Sequence, residues 1–330
     1  MLATQMGIPL CPDSTPLAGG WARGTKVKAL CVLTTKGGKT DPREVLTRAA
    51  PRPDFVLRYG PGREHVADLR LPAGGGITTP GQGPGAPLIV LLHGGFWRAA
   101  YDRAHAGPPA SALAQAGYAV CVPEYRRTGQ RGGGWPGTFD DVAAAVDTLP
   151  GLAAEAAPGQ VDPAAVLLAG HSAGGHLALW AASRNRLPAD TAWHRATSPV
   201  RGVVALAAVS DLAAGAERDL GRGAAVKLMD GGPERHPGRY AQADPARLVP
   251  APVPVRLVHG ELDDVVPCAM SLDYAARAAR AGGEVACDAL PGFGHFEVID
   301  PLTGAWPHVL SAFHSLVMPP GPSASGLRDT

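Results

Sequence analysis

Apolar and polar positions along this chain follow two rhythms, and each predicts its own kind of element. The pattern sharpens at "DFVLRYG" (54–60), and "HVADLRLP" (65–72) alternates apolar and polar as a half-buried strand does. "LIVLLHGG" (88–95) is a continuous apolar run ended by glycines, which predicts a strand buried on both faces. Further strands are read at "YAVCVPEY" (118–125), "AAVLLAGHS" (164–172), "GVVALAAVS" (202–210), "PVRLVHG" (254–260) and "EVACDAL" (284–290). Helical spacing fills the gaps. It begins after the prolines of "RAHAGPPASALAQAG", with Gly117 as the stop. It recurs in "TFDDVAAAVDTL" (138–149), with Thr138 as N-cap and Asp141 three residues on. It returns in "GGHLALWAASR" (174–184), "SLDYAARAARAGG" (271–283) and "WPHVLSAFHSLV" (306–317).

Strand and helix alternate with short connections, which predicts a mainly parallel, doubly wound α/β sheet with helices on both faces. Two stretches depart from the cadence. Residues 1–50 are irregular; "VKALCVLTT" (27–35) is strand-like but set among Gly, Pro and Thr, so the segment reads as an N-terminal extension. Its "GGKT" fails the phosphate-loop pattern, because the required first glycine falls at Leu33. Residues 211–250 carry no clear strand and read as a cap excursion over the C-terminal sheet edge. "AGGGITTPGQGPGAP" (73–87) is a Gly/Pro-rich surface connection. No internal repeat or linker divides residues 51–330, which therefore read as one catalytic domain.

Composition narrows the function classes. The 330 residues carry a net charge of +1 and only 18% charged residues, without the basic face that nucleic-acid binding needs. The longest apolar stretches are too short to span a membrane, and no basic-then-apolar leader opens the chain. The five cysteines are scattered, with no CxxC, so neither a disulfide framework nor a zinc site is expected. Cys121 and Cys287 read as buried thiols, and a reduced cytoplasm is the expected location. Nothing in the sequence fixes the oligomeric state, and a homodimer is compatible with it.

The chemistry concentrates at "GHSAG" (170–174), which fits the nucleophile-elbow pattern G-x-S-x-G between a strand and a helix. A serine at the apex of so sharp a turn needs small neighbours; bulk at Gly170 or Gly174 would collide with the flanking strand or helix. The helix behind offers unpaired N–H groups to a developing oxyanion. Ser172 needs a base, and in this strand–turn–helix context an acid and then a histidine should follow it in chain order. "VHGELDDVVP" (258–267) offers Asp263 and Asp264, and "PGFGHFEVID" (291–300) offers His295. Both segments follow strands. Asp263 is preferred; Asp264 reads as a turn residue or exposed charge, and Asp300 comes too late in the chain. His171, His176, His259 and His308 read as packing or surface groups. "LLHGGFW" (91–97) ends an earlier buried strand and supplies further backbone donors. The expected oxyanion donors are the N–H groups of Gly95, Phe96 and Ala173, with Gly94 also in reach, while His93 anchors the loop.

Taken together, these motifs resemble the α/β-hydrolase superfamily. "HGGFW" is similar to the HGG-x-W loop of kynurenine formamidases and to the HGGG loop of hormone-sensitive-lipase-like esterases. "PEYRR" (123–127) and "WPGTFDDVAAAVDTL" (135–149) resemble the segment between loop and elbow in both groups. The resemblance covers about residues 54–317 and implies the triad Ser172, Asp263 and His295, with no cofactor and no metal. It implies hydrolysis of a small-molecule carboxylic ester or N-formyl arylamide. Phe96 in place of a third glycine narrows the acyl side toward small groups. Trp97, Trp135, Trp193 and Phe296 are candidates for an aromatic leaving-group pocket or for core. Two alternatives stand beside this reading. One is a serine peptidase of the prolyl-oligopeptidase type, although 50 leading residues cannot build its propeller. The other is a non-catalytic binding protein of the same fold, although such proteins typically lose a triad member.

Overall fold

A computed structural model describes residues 41–74, 85–198 and 200–317. The strand-like stretch 27–35, Cys11, Cys31 and most of the 73–87 connection lie outside the described residues. Eight strands form one sheet: β1 (Phe55–Arg58), β2 (Val66–Arg70), β3 (Ala86–Leu92), β4 (Ala119–Pro123), β5 (Val161–His171), β6 (Gly202–Leu206), β7 (Val255–Gly260) and β8 (Val285–Leu290). Their order is β1-β2-β4-β3-β5-β6-β7-β8. The first two pair antiparallel, β2 pairs antiparallel with β4, and every other pairing is parallel.

Eight helices cross between or flank the strands: α1 (Gly107–Gln115), α2 (Gly137–Ala156), α3 (Ala173–Ala182), α4 (Leu212–Glu217), α5 (Ala224–Met229), α6 (Pro237–Ala243), α7 (Cys268–Arg280) and α8 (Trp306–Val317). The side-chain period of two divides the central strands between two cores. Leu88, Val90 and Leu92 of β3 pack with residues of α2, α3 and α7, such as Val142, Leu177 and Tyr274. Ile89 and Leu91 pack with residues of α1 and α8, such as Leu113 and Phe313. A strand buried on both faces has no polar positions to alternate, which explains the unbroken apolar runs.

Several local expectations are corrected. Helix α2 does not stop at Leu149 but continues through Pro150 to Ala156. Thr138 is not its N-cap; it lies inside the helix, where its hydroxyl donates to the Arg126 carbonyl at 2.6 Å. Asp141 likewise serves no capping box. It takes the Arg126 guanidinium at 2.6 Å and the His65 ring at 2.9 Å. Residues 211–250 hold three short helices, α4 to α6, and no strand. Residues 41–50, read from the sequence as part of a loose extension, form a 3-10 turn over Pro42–Leu46 with Val45 buried. The turn is held by a two-pronged ion pair from Arg48 to Asp300, one arm of which is 2.8 Å. Among the described residues, no helix is long and apolar enough to cross a membrane.

Candidate active site

Four segments leave the C-terminal ends of parallel strands and meet at one edge. They follow β3, β5, β7 and β8, and carry His93–Trp97, Ser172, Asp263 and His295 respectively. Parallel pairing is what puts four such ends on one side, as in other open α/β sheets.

Ser172 sits between β5 and α3 with φ 55° and ψ −117°, outside the regions L-residues favour. The strain is held by its surroundings. Its N–H donates to the Leu206 carbonyl at 2.8 Å, and its carbonyl accepts from Val209 and His176. The flanking glycines are required by contact: a Cβ on Gly170 would lie 2.1 Å from the Gly174 carbonyl oxygen, and one on Gly174 2.0 Å from that of Leu92. The collisions expected from the sequence are therefore real ones.

The structure brings Asp263 and His295 together. His295 Nδ1 donates to Asp263 Oδ2 at 2.6 Å, and both side chains are buried. Asp263 Oδ1 accepts the backbone N–H groups of Val265 and Val266, each at 2.8 Å. Burial alone would raise this carboxyl's pKa. Hydrogen bonds from His259 and His295, the charge on His295 and the Val266 N–H outweigh it and hold the group well below the usual carboxylate range. Using Nδ1 for Asp263 leaves His295 Nε2 as the nitrogen to address Ser172. Ser172 and His295 line one cavity of about 80 Å³, with Gly95, Phe96, Leu46, Tyr101, Val265 and Phe296 on its walls. The two side chains share no hydrogen bond among those described. Asp264 is exposed, and Asp300 is taken by Arg48.

The loop after β3 turns left-handed at Gly95, Phe96 and Trp97, with φ of 105°, 52° and 55°. Gly95 cannot be larger, since a Cβ there would lie 2.4 Å from that of Tyr101. Among the described residues, the N–H groups of Gly95, Phe96 and Ala173 have no protein acceptor. His93 anchors the loop as expected: Nδ1 bonds the Gly94 carbonyl and Nε2 bonds Glu124 Oε1, both at 2.9 Å. The buried Glu124 also receives the N–H of Tyr125 at 3.2 Å and the Arg127 guanidinium at 3.2 Å. Thus "PEYRR" buttresses the donor loop.

Two histidines need correction, and the tryptophans resolve to one of their two readings. His171 is no mere packing group; its Nε2 donates to the backbone carbonyl of His295 at 3.0 Å. His259 Nε2 reaches Asp263 Oδ2 at 3.0 Å. The only sequence signal for either was adjacency to a motif. Trp97, Trp135 and Trp193 pack in the core around Phe139, Trp180 and His176. Of the four aromatics considered for a leaving-group pocket, only Phe296 lines the cavity. Leu46, assigned to the extension, lines it too. Leu46, Tyr101 and His105 separate it from an open groove of about 740 Å³ walled by Arg43, Arg48, Arg52 and Arg70. Among the described residues, no group of three or more His, Cys, Asp or Glu side chains is arranged to hold a metal ion.

This sheet order, elbow and loop set define a member of the α/β-hydrolase superfamily. More narrowly, the chain belongs to the BD-FAE family, whose model matches residues 77–277. It is 29% identical over 239 residues to Esterase LipQ of Mycobacterium tuberculosis (strain ATCC 25618 / H37Rv), covering 68% of this chain and 52% of that protein. The chain thus spans about half the length of the curated relative it matches. Solved structures share the fold. A truncated carbohydrate esterase from gut microbiota superposes with a TM-score of 0.65 at 22% identity, over 79% of this chain and 95% of that one. Esterase B from Lactobacillus rhamnosis (HN001) superposes with 0.66 at 18% identity, over 83% and 89%.

Proposed function

We propose that the chain is a serine esterase that cleaves a small acyl group from a small-molecule ester through an acyl-enzyme. The observation that carries this reading is the 2.6 Å bond to a buried Asp263 from Nδ1 of His295, which shares a cavity with Ser172. In this reading His295 Nε2 takes the Ser172 proton as Oγ attacks the ester carbonyl carbon. The tetrahedral oxyanion sits against the N–H groups of Gly95, Phe96 and Ala173, each donor contributing about 3–4 kcal/mol to transition-state stabilisation. His295 then returns the proton to the leaving alkoxide, the C–O bond breaks, and the alcohol departs. A water, deprotonated by His295, attacks the acyl-enzyme and releases the carboxylic acid and the free Ser172 hydroxyl. Asp263 stays ionised throughout and balances the imidazolium charge.

Cavity size supports a short acyl chain. One water needs about 10–15 Å³ of such space, so a cavity of about 80 Å³ takes a group of a few heavy atoms. The names of LipQ and of the two solved neighbours favour esters over amides. The experiment is a panel of p-nitrophenyl acetate, butyrate and octanoate with N-formylkynurenine, run with wild type and Ser172→Ala. Acetate turnover that disappears in Ser172→Ala is the expected result. Turnover of N-formylkynurenine alone would move the assignment to a formamidase. Inactivity on every substrate, with no fluorophosphonate labelling of Ser172, would sink the catalytic reading.

A further inference from the structure

Asp263 Oδ2 has two histidine partners, and the mechanism above uses only one. His295 Nδ1 approaches it at 2.6 Å, and His259 Nε2 at 3.0 Å. His259 lies near the end of β7, and its Nδ1 faces the Ser271 hydroxyl in the first turn of α7 at 2.8 Å. Both His259 and Ser271 are fully buried.

The partners of His259 constrain where its ring hydrogens sit. His259 Nε2 also lies 2.9 Å from the Val266 carbonyl oxygen. A carbonyl and an ionised carboxylate only accept, so Nε2 carries a hydrogen. Nδ1 meets a hydroxyl, which can donate to it. With Ser271 donating, the ring is neutral and its tautomer is fixed. A neutral donor holds the carboxylate in place without cancelling its charge. That charge is then available in full when His295 becomes an imidazolium. Other titratable groups close by are Glu261, Cys268 and His171. Burial first, then Glu261 and Asp263, push the Cys268 thiol up, and burial pushes His171 well down, so both stay neutral near pH 7.

We propose that Ser271 and His259 are positioning residues for the candidate triad: Ser271 sets the His259 tautomer, and His259 Nε2–H holds Asp263 in register with His295. The inference rests on the esterase reading, yet part of its test does not.

The test compares wild type with His259→Leu, His259→Gln and Ser271→Ala. Activity on p-nitrophenyl acetate is followed from pH 5 to 9, and histidine tautomers are read by ¹⁵N NMR. His259→Leu should lose up to about a hundredfold in kcat with little change in KM, because a loosened base is a misoriented one. The acidic limb of its kcat/KM profile should move. His259→Gln keeps an N–H near the Nε2 position and should recover most of the loss, and Ser271→Ala should fall between. If His259→Leu does not fold, His259→Gln and Ser271→Ala decide by the same pH profile. Unchanged kcat and pH limb in folded His259→Leu would overturn the proposal. So would a His259→Gln as impaired as His259→Leu, or a wild-type His259 protonated on Nδ1 alone. Should the wild type hydrolyse no ester and resist fluorophosphonate, the esterase reading fails by itself. The ¹⁵N spectrum still decides whether the Ser271–His259–Asp263 chain exists.

Discussion

The ring of His171, one residue before the elbow serine, donates from Nε2 to the backbone carbonyl of His295 at 3.0 Å. The two rings lie 4.6 Å apart. The variable position of the elbow thus grips the loop that carries the candidate base, tying the end of β5 to the segment after β8. A carbonyl only accepts, so His171 Nε2 holds a hydrogen. The buried ring stays neutral, and replacing His171 by alanine should lower kcat more than it raises KM, as steady-state kinetics on p-nitrophenyl acetate would show.

Buried histidines make the fold acid-sensitive. Burial lowers His105 and His176 from 6.5 to about 4 and His171 well below 6.5. A folded-state pKa below the unfolded one favours unfolding wherever the unfolded chain binds more protons. Stability contributed by these groups is intact above pH 6.5 and should fall steadily toward pH 4. Urea unfolding across that window checks it. His176→Gln, which retains a donor for the Ala243 carbonyl, should make the decline shallower.

Asp263 acts in a lower window with the same sign. Its folded pKa lies below the ordinary 3.8, so its contribution is present above that value and is lost as the pH falls further. Asp263→Asn should be less stable than wild type at pH 7, and the gap should close below about pH 3.8. At pH 7 its kcat should drop by about ten-thousandfold. A gap that stayed constant from pH 7 to pH 3 would count against the ionic account.

If the proposed esterase seats its acyl group in the cavity beside Ser172, Leu46 bounds that end. It stands between the cavity beside Ser172 and the wider groove. Leu46→Ala should raise the octanoate-to-acetate ratio of kcat/KM about tenfold or more, as the removal of a wall of several methylenes allows. An unchanged ratio would place chain-length selection elsewhere.

Glycines separate by what surrounds them. Gly174→Ala drives a Cβ to within 2.0 Å of a backbone oxygen and should cost about 3 kcal/mol or more. Gly151 lies in α2 with nothing within 4 Å of a Cβ and no positive φ. Gly151→Ala should therefore stabilise the protein by about 1 kcal/mol. Chemical denaturation of the two variants tests the contrast.

The elements most legible in the sequence were those with a local cause. Buried parallel strands need unbroken apolar runs, so β3, β5 and β6 are plain in the text. The elbow needs small residues at fixed offsets, so Ser172 is plain as well. Asp263 and His295 follow because each lies just past a readable strand, and parallel pairing brings such ends together. Helix α2 runs past Pro150 against local propensity, because Ala153 beyond the proline is buried in the same core as Leu149.

What the sequence determined, then, is the order of strands and helices, the strained serine and the acid and histidine that follow it, since each is written in periodicity or short-range sterics. Tertiary structure alone decided that Leu46 walls the cavity, that the three tryptophans belong to the core, and that His171 and His259 brace the candidate triad. Those facts depend on contacts between segments distant in the chain. A buried imidazole looks the same in a sequence whether it fills space or holds a carboxylate, because only the position of its partner distinguishes the two.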